Sequence, residues 1–231
     1  MIGQGLLTCL AAAVCLTSCN RNSPATNKVH GEMLVLSVNG SARQGENILG
    51  EAAWTAFLKA RVMDEIRAGK ELVPRLSVEG PANARFLYGL QSKLGECGCS
   101  SYVLSVQGSD DSAKFSLITS ESMMDWKLAT KGVYRDLLLN PSPSIRAINE
   151  NGTEVLFVGV TIDSRQTIDF KRLVDGLSGG GGRFGKVYFI FRLMNDVPAE
   201  DVIQNARKVE RDYGTSVLLA IIGMEGDFGI E

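Results

Sequence analysis

The sequence predicts an α+β fold of two tandem units. Each unit has the order strand, optional second strand, helix, strand, helix, strand, with its helices on one face of a mixed sheet. Three observations predict this. The composition is average for a globular chain, with 45% hydrophobic and 22% charged residues in 231. Strand-like and helix-like segments alternate along the chain. One such series occurs in each half, with a proline and a glycine at matching places.

Residues 1–18 predict a lipoprotein signal peptide. The segment Leu6–Leu16 is apolar and uncharged, and it is shorter than the ~20 residues that a membrane-spanning helix needs. It runs into the sequence LTSC, which ends at Cys19 and resembles a bacterial lipobox. The resemblance implies cleavage before Cys19 and attachment of lipid to that residue. Residues 19–32 then predict a polar tether.

One feature leaves this interpretation open. The first five residues carry no Lys or Arg, although lipoprotein signals usually do. The true start of the protein upstream of Met1 is one explanation, and a weak signal is another. The alternative is that the apolar segment forms an N-terminal strand or helix of the folded domain.

The first unit is predicted at residues 33–108. Met33–Val38 is a β-type run, and Gly50–Ala68 predicts an amphipathic helix. The apolar residues that form its predicted buried side are Trp54, Phe57, Leu58, Val62 and Ile66. Pro81 and Gly98 bound a second helix, because proline suits the first helical turn and glycine supplies a left-handed cap. β-type runs precede Pro81 and follow Gly98.

The second unit is predicted at residues 153–231 and repeats this order. Its elements are a strand at Val155–Ile162, a short partner strand at Arg165–Ile168, a helix at Phe170–Leu177, a strand at Val187–Arg192, a helix between Pro198 and Gly214, and a strand that ends at Gly223. Residues 109–152 between the units are polar and contain the sequence PSP, which favours a linker.

Six segments of the second unit follow one another in an order known from a protein family. They are VLFVGV at 155–160, QTID at 166–169, LVDGL at 173–177, VYFI at 187–190, VPAEDVI at 197–203 and VLL at 217–219. This order resembles the periplasmic domain of the ExbD/TolR family of biopolymer-transport proteins, and the first unit follows by analogy. The resemblance implies dimerisation and contact with an envelope protein or the cell wall. The family's transmembrane helix, with its proton-carrying aspartate, has no counterpart in the short apolar leader, so proton transport is not expected.

Composition argues against several classes of function. A formal charge of −2 offers no basic field for nucleic acid, so no nucleic-acid partner is expected. The single histidine, His30, falls in the predicted tether, which argues against most metal sites and histidine-based catalysis. We therefore expect neither an enzyme nor a cofactor nor a metal site.

Cys97 and Cys99 form the strongest local candidate for chemistry. A Cys-x-Cys pair in an oxidising compartment can close a small, strained disulfide, which would be redox-active. The alternative is that both are ordinary residues at the end of a helix, paired or left as buried thiols.

Other local motifs favour simple structural interpretations. The sequence GGGRFGK at 180–186 matches the start of a phosphate-binding loop, but Val187 replaces the Ser or Thr, and a strand follows where a helix is needed. We interpret it as a loop. The acidic pair at 110–111 predicts a turn, and the pair at 200–201 predicts the first turn of a helix. The glycosylation sequons that begin at Asn39 and Asn151 also predict turns.

Three hypotheses of function follow. The first is a lipid-anchored, non-catalytic protein on the periplasmic side of a bacterial membrane, which contacts envelope proteins or peptidoglycan and forms a homodimer through a strand edge. The second is a periplasmic thiol-redox accessory that uses Cys97 and Cys99. The third is a lipoprotein that binds a small ligand between its two halves.

Overall fold

A computed structural model describes residues 27–79, 82–117, 144–148, 154–164, 167–177, 186–194, 196–215 and 217–221. Within them lie ten strands and four helices, which confirms the α+β class. The strands are β1 (Asn27–Leu36), β2 (Ala42–Gln44), β3 (Asn47–Leu49), β4 (Lys70–Val78), β5 (Ser101–Val106), β6 (Ser112–Ser116), β7 (Ser144–Ile148), β8 (Glu154–Ile162), β9 (Lys186–Leu193) and β10 (Val217–Ile221). The helices are α1 (Glu51–Arg67), α2 (Ala84–Glu96), α3 (Phe170–Leu177) and α4 (Ala199–Tyr213).

The ten described strands form one sheet in the order β3-β2-β1-β4-β5-β6-β10-β9-β8-β7. The strands β1, β4 and β5 are parallel, as are β8, β9 and β10. The hairpin β2–β3 extends the first set at one edge, and β7 pairs antiparallel to β8 at the other. Each half of the chain therefore contains three adjacent parallel strands connected by two helices.

The two halves meet where β6 pairs with β10. Val217 is aligned with Phe115 and Leu218 with Ser116 in this parallel pair. We call the elements β1–β6, α1 and α2 the first half, and β7–β10, α3 and α4 the second half. Because the strands of both halves belong to one sheet, the prediction of two separate tandem units, each with its own sheet, is not confirmed.

The helices form a layer on one face of the sheet. Helix α1 contacts α2, α2 contacts α4, and α4 contacts α3. Helix α2 also reaches β10 of the second half, while α4 packs on β5 and β6 of the first. One hydrophobic core lies beneath the layer, and its largest fully buried side chains are Tyr102, Phe115, Phe170, Phe189, Phe191, Leu34, Leu76, Leu87, Leu94, Leu104 and Leu156. The exchange of helix contacts makes this core continuous across both halves.

The predicted helices are confirmed, but their starts differ: Pro198 is the N-cap of α4 rather than part of its first turn, and α2 begins at Ala84 after the N-cap Asn83. Helix α3 has the predicted bounds, and α1 differs from its prediction by one residue at each end. Gly98 follows α2 with φ +83°, and Gly214 caps α4 with φ +64°, as expected of glycines that end helices. The acidic pair at 200–201 lies in the first turn of α4.

The strands differ from their predictions in several places. β1 begins at Asn27, so His30 lies in a strand rather than in the predicted tether at 19–32. The hairpin β2–β3 was not predicted, and β6 and β7 lie inside the predicted linker at 109–152. The predicted second strand of the second half is not found at residues 167–169, and residues 165–166 lie outside the described part. The predicted signal peptide, with Cys19, also lies outside it.

Candidate functional site

A cavity of about 220 Å³ lies in the first half, at the carboxyl end of β1. The residues that line it come from the turn after β1, the start of α1 and one side of α2. They are Leu36, Ser37, Val38, Asn39, Gly40, Ser41, Glu51, Trp54, Arg85, Phe86, Gly89, Leu90 and Lys93. The carboxyl ends of parallel strands are where open α/β sheets commonly bind ligands. Composition and spacing did not identify this site, which lies within one half rather than between the two.

The turn at residues 37–41 forms one wall of the cavity and is held by several hydrogen bonds. The Asn39 side-chain oxygen accepts hydrogen bonds from the Ser41 backbone N–H at 2.9 Å and from the Ser41 hydroxyl at 2.8 Å. Gly40 has φ +89°, a left-handed conformation that favours glycine. The Trp54 indole N–H donates to the Gly40 carbonyl at 3.1 Å. The turn predicted from the sequon is therefore confirmed. The hydrogen bond from Trp54 holds it against α1.

Helix α2 forms the opposite wall. The Asn83 side chain caps this helix by accepting a hydrogen bond from the Phe86 backbone N–H at 3.2 Å. The buried residues Leu87 and Leu94 hold the helix on the sheet, so that the neighbouring side of α2 faces the cavity. Gly89 lies on that neighbouring side, and a Cβ atom added there would meet no atom within 4 Å.

Three charged side chains line the cavity. The Lys93 ammonium forms an ion pair with the Glu51 carboxylate, which joins α2 to the start of α1. The Arg85 guanidinium belongs to the first turn of α2 and takes part in none of the ion pairs between described residues. The cavity therefore carries a net positive charge, with the negative charge of Glu51 held by Lys93.

The predicted redox pair is buried behind α1 and α2. Cys97 and Cys99 are both free thiols in the structure, so the disulfide considered from the sequence is not formed there. The Cys97 thiol donates to the Thr55 carbonyl at 3.4 Å. Burial raises the pKa of Cys97, with a further contribution from Glu96, and burial raises the pKa of Cys99 to about 12. Both thiols are therefore protonated at neutral pH and are poor nucleophiles.

A buried arginine lies on the opposite face of the sheet, in the second half. Arg192 is 8% exposed, and its guanidinium lies against the backbone of Gly159 on the neighbouring strand. The stacked rings of Phe157 and Tyr188, with centroids 5.2 Å apart, occupy the same face. Burial lowers the pKa of Arg192, which remains charged. The sequence showed Arg192 only as the end of a strand, because nothing in its neighbourhood indicates that Gly159 lies beside it.

The remaining candidates have structural roles or lie outside the description. Asp111 of the acidic pair at 110–111 forms an ion pair with Arg207 of α4. Residues 180–185 of the glycine-rich motif and the sequon at 151–153 are not described, and Lys186 begins β9 as the predicted strand requires. In the described part of the chain, no three His, Cys, Asp or Glu side chains cluster as a metal site would need.

Among the described helices, none combines the length and the apolar character needed to cross a membrane. A scan against protein-family models finds no match to this chain. A search of curated proteins also finds no match.

Proposed function

We propose that this chain is a non-catalytic, lipid-anchored protein of the bacterial cell envelope. Cys19 carries the lipid and holds the chain on the periplasmic side of a membrane. The folded body acts through contacts with envelope proteins or peptidoglycan, as its resemblance to the periplasmic domain of ExbD/TolR proteins implies.

One observation carries the proposal. Each half contains three parallel strands and two helices in the order strand, helix, strand, helix, strand. The first half also has the short hairpin β2–β3 between its first strand and first helix, where the resemblance expects a second strand. The same order of elements occurs in both halves, which supports the resemblance to the ExbD/TolR periplasmic domain on which the proposal rests.

The homodimer is part of this proposal, and β3 is the edge where a second copy would pair. This strand ends the sheet, and its central residue, Ile48, is 78% exposed. Exposed strand edges pair readily with other chains, and a lysine there opposes such pairing. Ile48→Lys should convert a dimer into a monomer in light scattering. Met63→Lys, on the exposed side of α1, is the matched control and should leave the mass unchanged.

The main experiment tests anchoring and partners together. The full chain should be expressed in a bacterial host, and its membranes should be solubilised and used for affinity purification beside a Cys19→Ser variant. We expect the wild-type chain in the membrane fraction with an envelope protein or peptidoglycan fragments, and the variant in the soluble fraction. Membrane association of both proteins to the same extent would contradict the lipid anchor. Purification with lipid alone would contradict the role in envelope contacts.

The thiol-redox hypothesis predicts that replacing Cys97 and Cys99 abolishes the function of the protein. It needs an accessible thiolate, whereas Cys97 is 4% exposed, Cys99 is 1% exposed and the pKa values of both are raised. A double variant with Cys97→Ser and Cys99→Ser should therefore keep partner binding. Loss of binding by a folded double variant would favour the redox role instead.

A further inference from the structure

The cavity between the 37–41 turn and helix α2 has the charge of a site for a single anion. Lys93 and Glu51 neutralise one another as an ion pair, which leaves the guanidinium of Arg85 as the uncompensated charge among the described lining residues. A guanidinium presents several N–H donors in one plane, a geometry that matches a carboxylate. The net charge of the cavity therefore favours a ligand with one negative charge.

The size of the cavity limits the ligand. Its volume of about 220 Å³ is below the roughly 300–1,000 Å³ of pockets that enclose a drug-sized ligand. The cavity therefore favours a small organic acid, or one end of a longer molecule.

The walls of the cavity supply the rest of the recognition. Phe86 and Leu90 on α2 and Leu36 at the end of β1 form an apolar side. Ser37 and Asn39 add polar residues on the turn. A charged group at one end and apolar surface beside it are typical of sites that bind small amphiphilic molecules.

The glycine at position 89 keeps this space open. Gly89 is inside helix α2, where glycine is unfavourable by about 1 kcal/mol relative to alanine. A Cβ atom at this position would meet nothing within 4 Å, so packing against the rest of the protein does not require glycine. A long side chain there would instead extend into the cavity.

We propose that this cavity is a binding site for a small monocarboxylate that carries an apolar part. Arg85 binds the carboxylate, and Phe86 and Leu90 contact the apolar part. This inference is independent of the lipid anchor and of the envelope partners proposed above. The same chemistry is found in free small acids and at the carboxyl end of a peptide, so the experiment includes a probe for each.

The test is a titration of the full chain with N-acetylalanine, followed by the indole N–H resonance of Trp54. A Trp126→Phe variant assigns the resonance, since the chain has two tryptophans. We expect a saturable shift with a Kd of about 1–10 mM, typical of a ligand with few atoms. N-acetylalanine amide lacks the charge and should give no saturable shift. An equal response to the amide, or to inorganic phosphate, would overturn the assignment to a carboxylate.

Two pairs of variants locate the binding. Arg85→Gln should weaken binding about ten-fold, because it removes a charge-assisted hydrogen bond. Arg67→Gln, which changes an exposed arginine in the last turn of α1, should leave binding unchanged.

Gly89→Leu should fill the cavity and weaken binding at least ten-fold, whereas Gly95→Leu, on the exposed part of the same helix, should not weaken binding. Circular dichroism checks that each variant is folded. Unchanged binding by folded Arg85→Gln and Gly89→Leu variants would overturn the site.

The second probe, acetyl-Ala-Ala-Ala, identifies the source of the carboxylate. Tighter binding than that of N-acetylalanine supports the end of a peptide as the ligand. Equal or weaker binding supports a free small acid. If neither probe gives a saturable shift of the Trp54 resonance up to 50 mM, the proposal is wrong.

Discussion

Asn83 and Pro198 pair with one another as an isolated antiparallel bridge between the two halves of the chain. The Ala84 N–H donates to the Val197 carbonyl at 2.9 Å, and the Ala199 N–H donates to the Ala82 carbonyl, also at 2.9 Å. Asn83 is the N-cap residue of α2 and Pro198 is that of α4, so the two residues hold corresponding places in the two halves. The bonds are reciprocal, as they would be at a two-fold axis.

This bridge should stabilise the packing of the two halves. Ala199→Pro removes one of its N–H donors at the first helical position, where proline is otherwise tolerated. Ala199→Val keeps the donor and adds a similar volume. We expect the proline variant to be less stable than the valine variant by about 1–2 kcal/mol in urea denaturation. Equal stabilities would mean that the bridge adds nothing.

A side chain at Gly40 should destabilise the turn beside the cavity. A Cβ atom there would lie 2.9 Å from the Glu51 side-chain oxygen Oε2, and φ is +89°. Gly40→Ala should therefore lower the free energy of unfolding by about 1–3 kcal/mol. Gly45→Ala also has positive φ but meets nothing within 4 Å, so it should cost only the conformational part, about 1 kcal/mol. Adding Glu51→Ala to Gly40→Ala should recover the difference, and a failure to do so would show that the close contact is unimportant.

The buried thiol of Cys99 should make stability fall at high pH. Burial raises its pKa from 9.0 to about 12, so the folded state binds this proton more tightly than the unfolded state does. The resulting stabilisation is complete below pH 9 and is lost as the pH rises from 9 towards 12, at about 1.4 kcal/mol per pH unit.

Urea denaturation of the wild type and of Cys99→Ala from pH 8 to pH 11 measures this effect. The stability difference between the two proteins should shrink above pH 9. The buried Tyr102, whose pKa is also raised by burial, is present in both proteins and cancels in the comparison. If the stability curves of the two proteins stay parallel from pH 8 to pH 11, the raised pKa of Cys99 does not contribute to stability.

Because Arg192 lies so close to Gly159, a side chain at position 159 should destabilise the protein. A Cβ atom at position 159 would lie 2.8 Å from Nη2 and 3.1 Å from Cζ of the buried guanidinium. Gly159→Ala should lower the free energy of unfolding by about 1–3 kcal/mol, because the arginine has little room to move. Gly176→Ala in α3 meets nothing within 4 Å and should be neutral or stabilising by up to about 1 kcal/mol. A neutral result at both positions would show that Arg192 relaxes freely.

The helices could be predicted because their signals are local. Proline near the start, glycine after the end and apolar residues at helical spacing all lie within one segment, as α3 and the glycines that follow α2 and α4 illustrate. The hairpin β2–β3 was missed because its strands are three residues long, too short for alternation to be recognised. β6 does alternate, with Ala113 and Phe115 buried between serines and a lysine, but its many polar residues favoured a linker.

The cavity could be predicted only in part. Asn39-Gly40-Ser41 indicates a turn, and Gly89 is an unusual residue inside a helix. Neither feature shows that the two lie on opposite sides of the same space, which depends on how α2 packs beside the carboxyl end of β1. The same is true of Lys93 and Glu51, which are paired although they belong to different helices.

The sequence by itself determined the class of fold, the order and ends of the helices and the repetition of one series of elements in both halves. These follow from backbone preferences and hydrophobic spacing within short segments. Only the tertiary structure decided that the halves share one sheet and one core, because the pairing of β6 with β10 and of Asn83 with Pro198 joins residues far apart in the chain. It also decided that Cys97 and Cys99 are buried thiols with raised pKa values, since burial depends on the elements packed around them.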